Sequence, residues 1–179
     1  MEIAMPFNFD QWIKDNKDKL KPPVANKNMY PISKDYIVMV VAGPNARKDY
    51  HYNETEELFY QVEGDICVKI QVDGKSVEVP IKEGEMFLLP AKIPHSPIRS
   101  EKSIGLVIER VREGTDFTDG LMWFCDHCNS KIYDEYFKLT NVEKDFLPVF
   151  QKFYNSEELR TCSSCQHVME TDSRFTSQD

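Results

Sequence analysis

A chain of 179 residues, 41% hydrophobic and 12% aromatic, can bury a real core and fits one domain or one domain with a small appendage. Its net charge of −8 argues against a nucleic-acid surface, which needs clustered Lys and Arg. No apolar run approaches the roughly 20 residues of a membrane span, and the opening MEIAMPFNFDQW has neither a basic start nor an apolar stretch, so the expectation is a soluble cytoplasmic protein.

In chain order, Asn8 is placed to cap a short helix, with Gln11 three residues on. Trp12, Ile13 and Leu20 give that helix an imperfect apolar stripe, and Pro22 and Pro23 stop it. An extended segment follows to Pro31. From residue 36 the texture turns to strands: YIVMVVA (36–42) is a continuous apolar run, and GPN (43–45) turns the chain. LFYQVEG (58–64) and ICVKIQV (66–72) alternate or nearly so, which makes Cys67 a small core residue. Asp73-Gly74 is a hairpin signal and KSVEVPI (75–81) the returning strand. EGE (83–85) turns into MFLLP (86–90), and IGLVIER (104–110) is another buried-type strand. Many short strands without crossover helices predict a mostly β chain, folded as an antiparallel sandwich or barrel.

The last third differs. LMWFCDHC leads into a KIYDEYFKL strand (131–139). Residues 142–154 carry Phe146, Val149, Phe150 and Phe153 at helical spacing, with Pro148 as a flaw, and that stripe reads as core packing. The polar tail ETDSRFTSQD (170–179) reads as mobile.

HYNETEELFY raises the first question of chemistry. If 51–57 runs as an extended ribbon, His51 and Glu57 point the same way. His95, after the turn at KIP, can close the set. Two imidazoles and one carboxylate on one face of a metal leave open positions opposite, an arrangement suited to non-haem Fe(II) and O₂ chemistry. The bland reading is a lone strand histidine beside the solvated charges of Glu54, Glu56 and Glu57.

The wider spacing bears on that choice. His51 and Glu57 precede Gly64, while Gly84 precedes Pro90 and then His95. This pattern resembles the paired motifs of the cupin superfamily, small antiparallel β-barrels of the jelly-roll kind with a metal in the mouth. Two positions depart from it: Asn53 stands where many cupins carry a second histidine, and Lys92 where glycine is common. KPPVANK (21–27), VVAGPNARKDYH (40–51), EELFYQVEG (56–64), EGEMFLLPAKIPHSP (83–97) and LVIER (106–110) resemble the 3-hydroxyanthranilate 3,4-dioxygenase family more closely still. That resemblance implies a cupin barrel holding Fe(II) at His51, Glu57 and His95. It also implies ring opening of 3-hydroxyanthranilate by O₂, with a product that closes spontaneously to quinolinate, a precursor of NAD.

The substrate is an aromatic acid with adjacent amino and hydroxyl groups. Arg47 lies four residues before His51, and Arg99 four after His95. A guanidinium fork suits a carboxylate better than an ammonium does. Glu109 ends an apolar strand, an awkward place for an unpartnered acid. On spacing alone, the arginines are equally well rim charges and Glu109 a partner of Arg110 or Arg112. The resemblance implies that Arg47, Arg99 and Glu109 hold the substrate. Asn26, Phe59 and Pro97 are further candidates for the pocket wall, although Phe59 in a strand is core by default.

Cys125 and Cys128 in FCDHCN, with Cys162 and Cys165 in TCSSCQ, form two Cys-x-x-Cys pairs. In a reducing compartment this favours one tetrahedral metal over disulfides, and zinc and rubredoxin-like iron are both compatible. The alternative is four free thiols. With all four positions filled by protein, such a centre is structural, and His127 and His167 read as bystanders. Bacterial and fungal members of the family carry the same four-cysteine site. The expected organisation is a barrel with an N-terminal helix over 1–120 and a C-terminal metal-knuckle lobe over 121–179, with a few short helices. Family and fold together imply a homodimer without nucleic-acid or membrane partners. Two other readings compete: a different cupin oxygenase, for example one acting on a thiol such as cysteine, and a non-catalytic cupin that binds a small acid.

Overall fold

The computed structural model describes residues 3–20, 26–45 and 47–176, so the expected stop at Pro22 and Pro23 lies outside the described residues. Helix α1 (Phe9–Asn16) begins as its sequence predicts, with the Asn8 side chain accepting from the backbone N–H of Gln11 at 2.8 Å. A 3-10 turn (Lys17–Lys19) continues it. Ile13 and Leu20 bury against Val40, Ala42 and Ile104, on one face of the strands they cover.

Eleven strands follow among the described residues: β1 (Asn26–Asn28), β2 (Tyr36–Ala42), β3 (Tyr50–Tyr52), β4 (Glu57–Glu63), β5 (Ile66–Val72), β6 (Lys75–Ile81), β7 (Met86–Leu89), β8 (His95–Arg99), β9 (Ile104–Arg110), β10 (Asp119–Phe124) and β11 (Lys131–Phe137). They make a five-stranded sheet, β1-β2-β9-β4-β7, and a six-stranded sheet, β11-β10-β3-β8-β5-β6. All the pairings are antiparallel. Phe59, Ile66, Val68, Ile81, Leu89 and Val107 bury between the sheets, drawn from both of them. Period-two alternation divides β2: Val40 and Ala42 face α1, whereas Met39 and Val41 pack on the inter-sheet core. The Asp73-Gly74 hairpin has both φ angles positive, +50° and +73°, as a tight two-residue turn between right-twisted strands requires.

The C-terminal part adds helices α2 (Val142–Tyr154) and α3 (Glu157–Arg160). Asn141 caps α2 by accepting from the Lys144 N–H at 3.1 Å. Pro148 removes one helical donor, which the buried stripe of Phe146, Val149, Phe150 and Phe153 offsets by packing on Leu121, Trp123 and Met169. The Trp123 and Phe153 rings stack at 4.2 Å.

Several expectations need correction. Residues 51–57 are not one ribbon: β3 ends at Tyr52, β4 starts at Glu57, and the two belong to different sheets. Asn53 bends the chain between them, its side-chain oxygen accepting from the Thr55 N–H at 2.7 Å. Cys67 is half-buried rather than in the core, because Ile66 and Val68 take the inward positions of β5. The tail packs at least as far as Phe175, whose ring lies 4.6 Å from that of Phe150 and 5.6 Å from that of Tyr154. Residues 177–179 of that tail lie outside the described residues. Strands β3, β8 and β10 were not expected: two are very short or carry a proline, and β10 runs into the first cysteine pair.

Candidate metal centre

The two sheets bring opposite halves of a cluster together. His51 on β3 and His95 on β8 are direct cross-strand partners in the six-stranded sheet. Glu57 on β4 is the cross-strand partner of Glu109 on β9 in the five-stranded sheet. Across the interior, one ligand-type atom from each of His51, Glu57 and His95 lies within 4.8 Å of the others, and all three residues are buried. Nε2 of His95 is 3.0 Å from the Glu57 carboxylate, and its Nδ1 is 3.0 Å from the Ile93 carbonyl.

Burial alone would push the Glu57 carboxyl up, but the charges and hydrogen bond of the neighbouring histidines outweigh it and hold it down to about 2. Burial pulls the His95 imidazole down, yet Glu57 overrides it and raises His95 above the usual value. His51 is pulled down by burial, against the hydrogen bond it makes to Asp119. A carboxylate held ionised beside two imidazoles in a buried site is a donor set that fits a divalent cation of borderline softness. Three ligands on one side leave further coordination positions to other molecules.

Asn53 stands next to this cluster and is buried. Its amide donates to Glu57 at 3.2 Å, so it acts as a hydrogen-bond support for the carboxylate.

A cavity of about 110 Å³ adjoins the three residues. Arg47, Arg99 and Glu109 line it, and so do Asn26, Phe59 and Pro97, so all six positions proposed from sequence meet at one place. Two larger clefts, about 540 and 600 Å³, are lined by none of His51, Glu57 and His95. The two arginines differ in state. Arg47 is half-buried, forks onto Asp49 through Nε and Nη2, and lies over the Phe146 ring at 5.8 Å. Arg99 is 4% exposed, and its Nη1 has no hydrogen-bond partner among the described residues. Burial pulls the Arg99 guanidinium down to about 10, against the charge of Glu57. Gly105 makes room for it: a Cβ there would come 3.1 Å from Arg99 Nη1 and 2.7 Å from Gln61 Oε1. Neither Arg99 nor Glu109 is a rim charge.

Glu109 pairs with Arg112 at 2.7 Å, one of the two partners its sequence allowed. Burial and the Glu57 charge push its carboxyl up to about 7, against Arg112. Sequence reasoning named Arg112 only as a possible partner of Glu109, and it missed the buried Asp119 and the wall residues Met39, Val41, Asn45, Val107 and Phe146. Phe146 had been assigned to the core stripe alone; its ring also sits 5.3 Å from that of His51. The apolar run after Asp119-Gly120 was the available signal for β10.

The four cysteines converge as well, one thiol from each within 4.8 Å of the others. Cys125–Cys165 and Cys128–Cys162 sulfurs are 3.6 Å apart. A disulfide needs about 2.05 Å, whereas the edge of a tetrahedron with metal–sulfur bonds of about 2.3 Å is about 3.8 Å. The donor set fits a tetrahedral thiolate metal. The two pairs sit on equivalent turns: Asn129 N–H reaches back to the Cys125 carbonyl at 2.8 Å, and Gln166 N–H to that of Cys162 at 2.9 Å. Asn129 and Gln166 both take positive φ, +60° and +64°. Asn129 also exchanges two hydrogen bonds with Gln71 of β5, at 2.9 and 3.0 Å, which ties the knuckle to the barrel. His127 and His167 stay outside the cluster, with their rings 5.7 Å apart.

Fold and site together define a metal-dependent cupin, an antiparallel two-sheet barrel with a buried two-histidine, one-carboxylate cluster opening on a small cavity. The family model for 3-hydroxyanthranilic acid dioxygenase matches residues 1–154, and the chain belongs to that family. A curated relative in Xanthomonas euvesicatoria pv. vesicatoria, named 3-hydroxyanthranilate 3,4-dioxygenase, is 50% identical over 97% of both chains. A relative of the same name in Paraburkholderia phytofirmans is 46% identical, over 94% of this chain and 96% of its own. One in Jannaschia sp. is 48% identical over 90% and 89%. No helix among the described residues is long and apolar enough to cross a membrane.

Proposed function

We propose that this chain is an Fe(II)-dependent dioxygenase that opens the ring of 3-hydroxyanthranilate with O₂. The product is 2-amino-3-carboxymuconate semialdehyde, which closes to quinolinate on the way to NAD. The observation that carries the substrate assignment is Arg99, a buried guanidinium beside the three-ligand cluster whose Nη1 has no partner among the described residues. A buried charge left unpaired is costly, and a carboxylate bound in the cavity removes that cost through a charge-assisted fork.

In this reading His51, Glu57 and His95 hold Fe(II), which when bound supplies the open positions and redox chemistry that let O₂ react with an aromatic ring. Arg99 anchors the substrate carboxylate. Arg47 adds charge from the cavity edge while remaining held by Asp49. Glu109, with its carboxyl pushed up to about 7, holds or releases a proton at the ring hydroxyl or amino group near neutral pH. Phe59, Pro97 and Phe146 supply apolar wall, and Asn26 a polar point at its edge. Anchoring and wall contacts turn a chance encounter into a positioned one and exclude water.

The four cysteines, in the same reading, hold a zinc or iron that staples the lobe over 121–179 onto the barrel over 1–120. We further assign a homodimer in the cytoplasm, with a small aromatic acid and O₂ as its partners. Loss of the ultraviolet absorbance of 3-hydroxyanthranilate, followed with Fe(II) in air and under nitrogen, tests the proposal. Oxygen-dependent consumption of 3-hydroxyanthranilate and none of cysteine supports it. Turnover of cysteine instead identifies a thiol oxygenase, and binding of the acid without oxygen uptake identifies a non-catalytic binder.

A further inference from the structure

His51 has a second partner, 68 residues away in the chain. Its Nε2 lies 2.7 Å from Oδ2 of Asp119, a residue with no solvent exposure. The same Asp119 oxygen accepts from Arg112 Nη2 at 2.9 Å, and Oδ1 accepts from Arg112 Nε at 3.1 Å. Arg112 Nη2 also donates to Glu109 at 2.7 Å, and Nη1 to the Arg110 carbonyl. One continuous buried chain therefore runs His51–Asp119–Arg112–Glu109, from the three-ligand cluster to the carboxylate that lines the cavity.

A buried ion pair is weak evidence for stability, since apolar residues of the same volume often serve as well. Geometry gives this pair a different task. An ionised carboxylate only accepts hydrogen bonds, so a neutral His51 must carry its proton on Nε2, and its lone pair is left on Nδ1. The fork from Arg112 fixes Asp119 in turn, because two of its nitrogens grip both carboxylate oxygens.

We propose that Asp119, clamped by Arg112, is the positioning residue for His51: it selects the Nε2–H tautomer, sets the ring orientation and presents Nδ1 to the metal. The inference rests on the reading that His51 is a metal ligand. Carboxylate support behind a histidine raises its basicity and holds it in place, and losing such support typically lowers metal affinity about 10- to 100-fold. Because Arg112 grips Glu109 through the same nitrogen that reaches Asp119, one guanidinium orients both the metal side and the substrate side of the cavity.

The test uses the full chain with its cysteine centre filled. In wild-type protein with an empty barrel site, ¹⁵N-histidine NMR reads the His51 tautomer, and Nε2–H is expected; Nδ1–H overturns the proposal. In Asp119→Asn one carboxylate oxygen becomes an NH₂ group facing a donor. Fe(II) affinity, measured anaerobically against a chelator, is expected to fall about 10- to 100-fold with unchanged circular dichroism and unchanged metal at the cysteines. Arg112→Lys keeps the charge and loses the fork, so it should lower Fe(II) affinity less and raise KM more than it lowers kcat. Should Asp119→Asn fail to fold, the wild-type tautomer and Arg112→Lys decide the matter. Wild-type Fe(II) affinity in Asp119→Asn, with metal lost in His51→Ala, overturns this proposal and leaves the three-ligand reading standing. Metal retained in His51→Ala overturns both.

Discussion

The histidine–glutamate cluster and the cysteine cluster are both groups of metal-ligating side chains, but they are built in opposite ways. The first takes three ligands from strands of two facing sheets and adjoins a cavity. The second takes four thiols from two equivalent local turns. Three ligands leave coordination positions for substrate and oxygen, and four leave none. Under the proposed function, the number of protein ligands, together with the space beside them, separates a chemical role from a structural one.

The sharpest way to break that contrast is to remove one ligand from each. His95→Ala should abolish metal at the barrel site and reduce turnover to the detection limit while metal stays at the cysteines. Metal per chain and oxygen uptake check both. Wild-type turnover in this variant would erase the distinction from one side. Arg99→Ala should leave both metals in place and weaken kcat/KM about 100-fold, since a lost charge-assisted contact is worth on the order of 3 kcal/mol. The same change at Arg47 should cost less, because Asp49 already holds that guanidinium. Equal effects of the two would show that pairing state does not govern the anchor.

Cys162→Ala attacks the other side. Loss of a structural metal belongs among the large destabilisations, on the order of 4 kcal/mol. At about 2–4 °C per kcal/mol for a chain of this size, calorimetry should record a fall in Tm of about 10 °C. The kcat of the protein that remains folded should stay near wild type. A full loss of kcat in a folded, iron-loaded barrel would mean that the cysteine centre shares in the chemistry.

Much of this arrangement is legible in sequence, and what is not has physical causes. Two Cys-x-x-Cys pairs each specify a local turn, so their meeting needs only that the chain return once. The helical stripe of α2 and the Asp73-Gly74 hairpin are local in the same sense. His51 and Glu57 were correctly grouped for the wrong reason: they meet across two sheets through a bend at Asn53, not along one strand. Asp119 was invisible because its meaning comes from a partner in another strand and from complete burial, neither of which spacing reports. Arg47 and Arg99 look alike in sequence, four residues from a histidine each, and only packing shows that Asp49 holds the first while Nη1 of the second has no partner among the described residues.

The smallest expected effect lies at the N-terminus of α2, in the lobe that carries the cysteines. Asp145 accepts from the N–H groups of Thr140 and Asn141 at 2.6 and 2.8 Å, and those bonds hold its carboxyl below the usual range. A depressed carboxyl contributes stability above its unfolded pKa of about 3.9, and the contribution is lost as pH falls through the lower folded value. Asp145→Asn should therefore lower Tm slightly at pH 7, with the difference from wild type closing in strong acid. A gap that is constant with pH would assign the effect to lost shape alone.

The central claim is that His51, Glu57 and His95 share one metal ion with room left beside it. Anomalous diffraction at the iron edge from crystals of the Fe(II)-loaded protein tests it most directly. The account predicts a peak about 2.0–2.2 Å from one atom of each residue, as nitrogen and oxygen ligands require, facing the cavity lined by Arg99. Three side chains with no iron peak among them, in crystals whose cysteine site is filled, would contradict it.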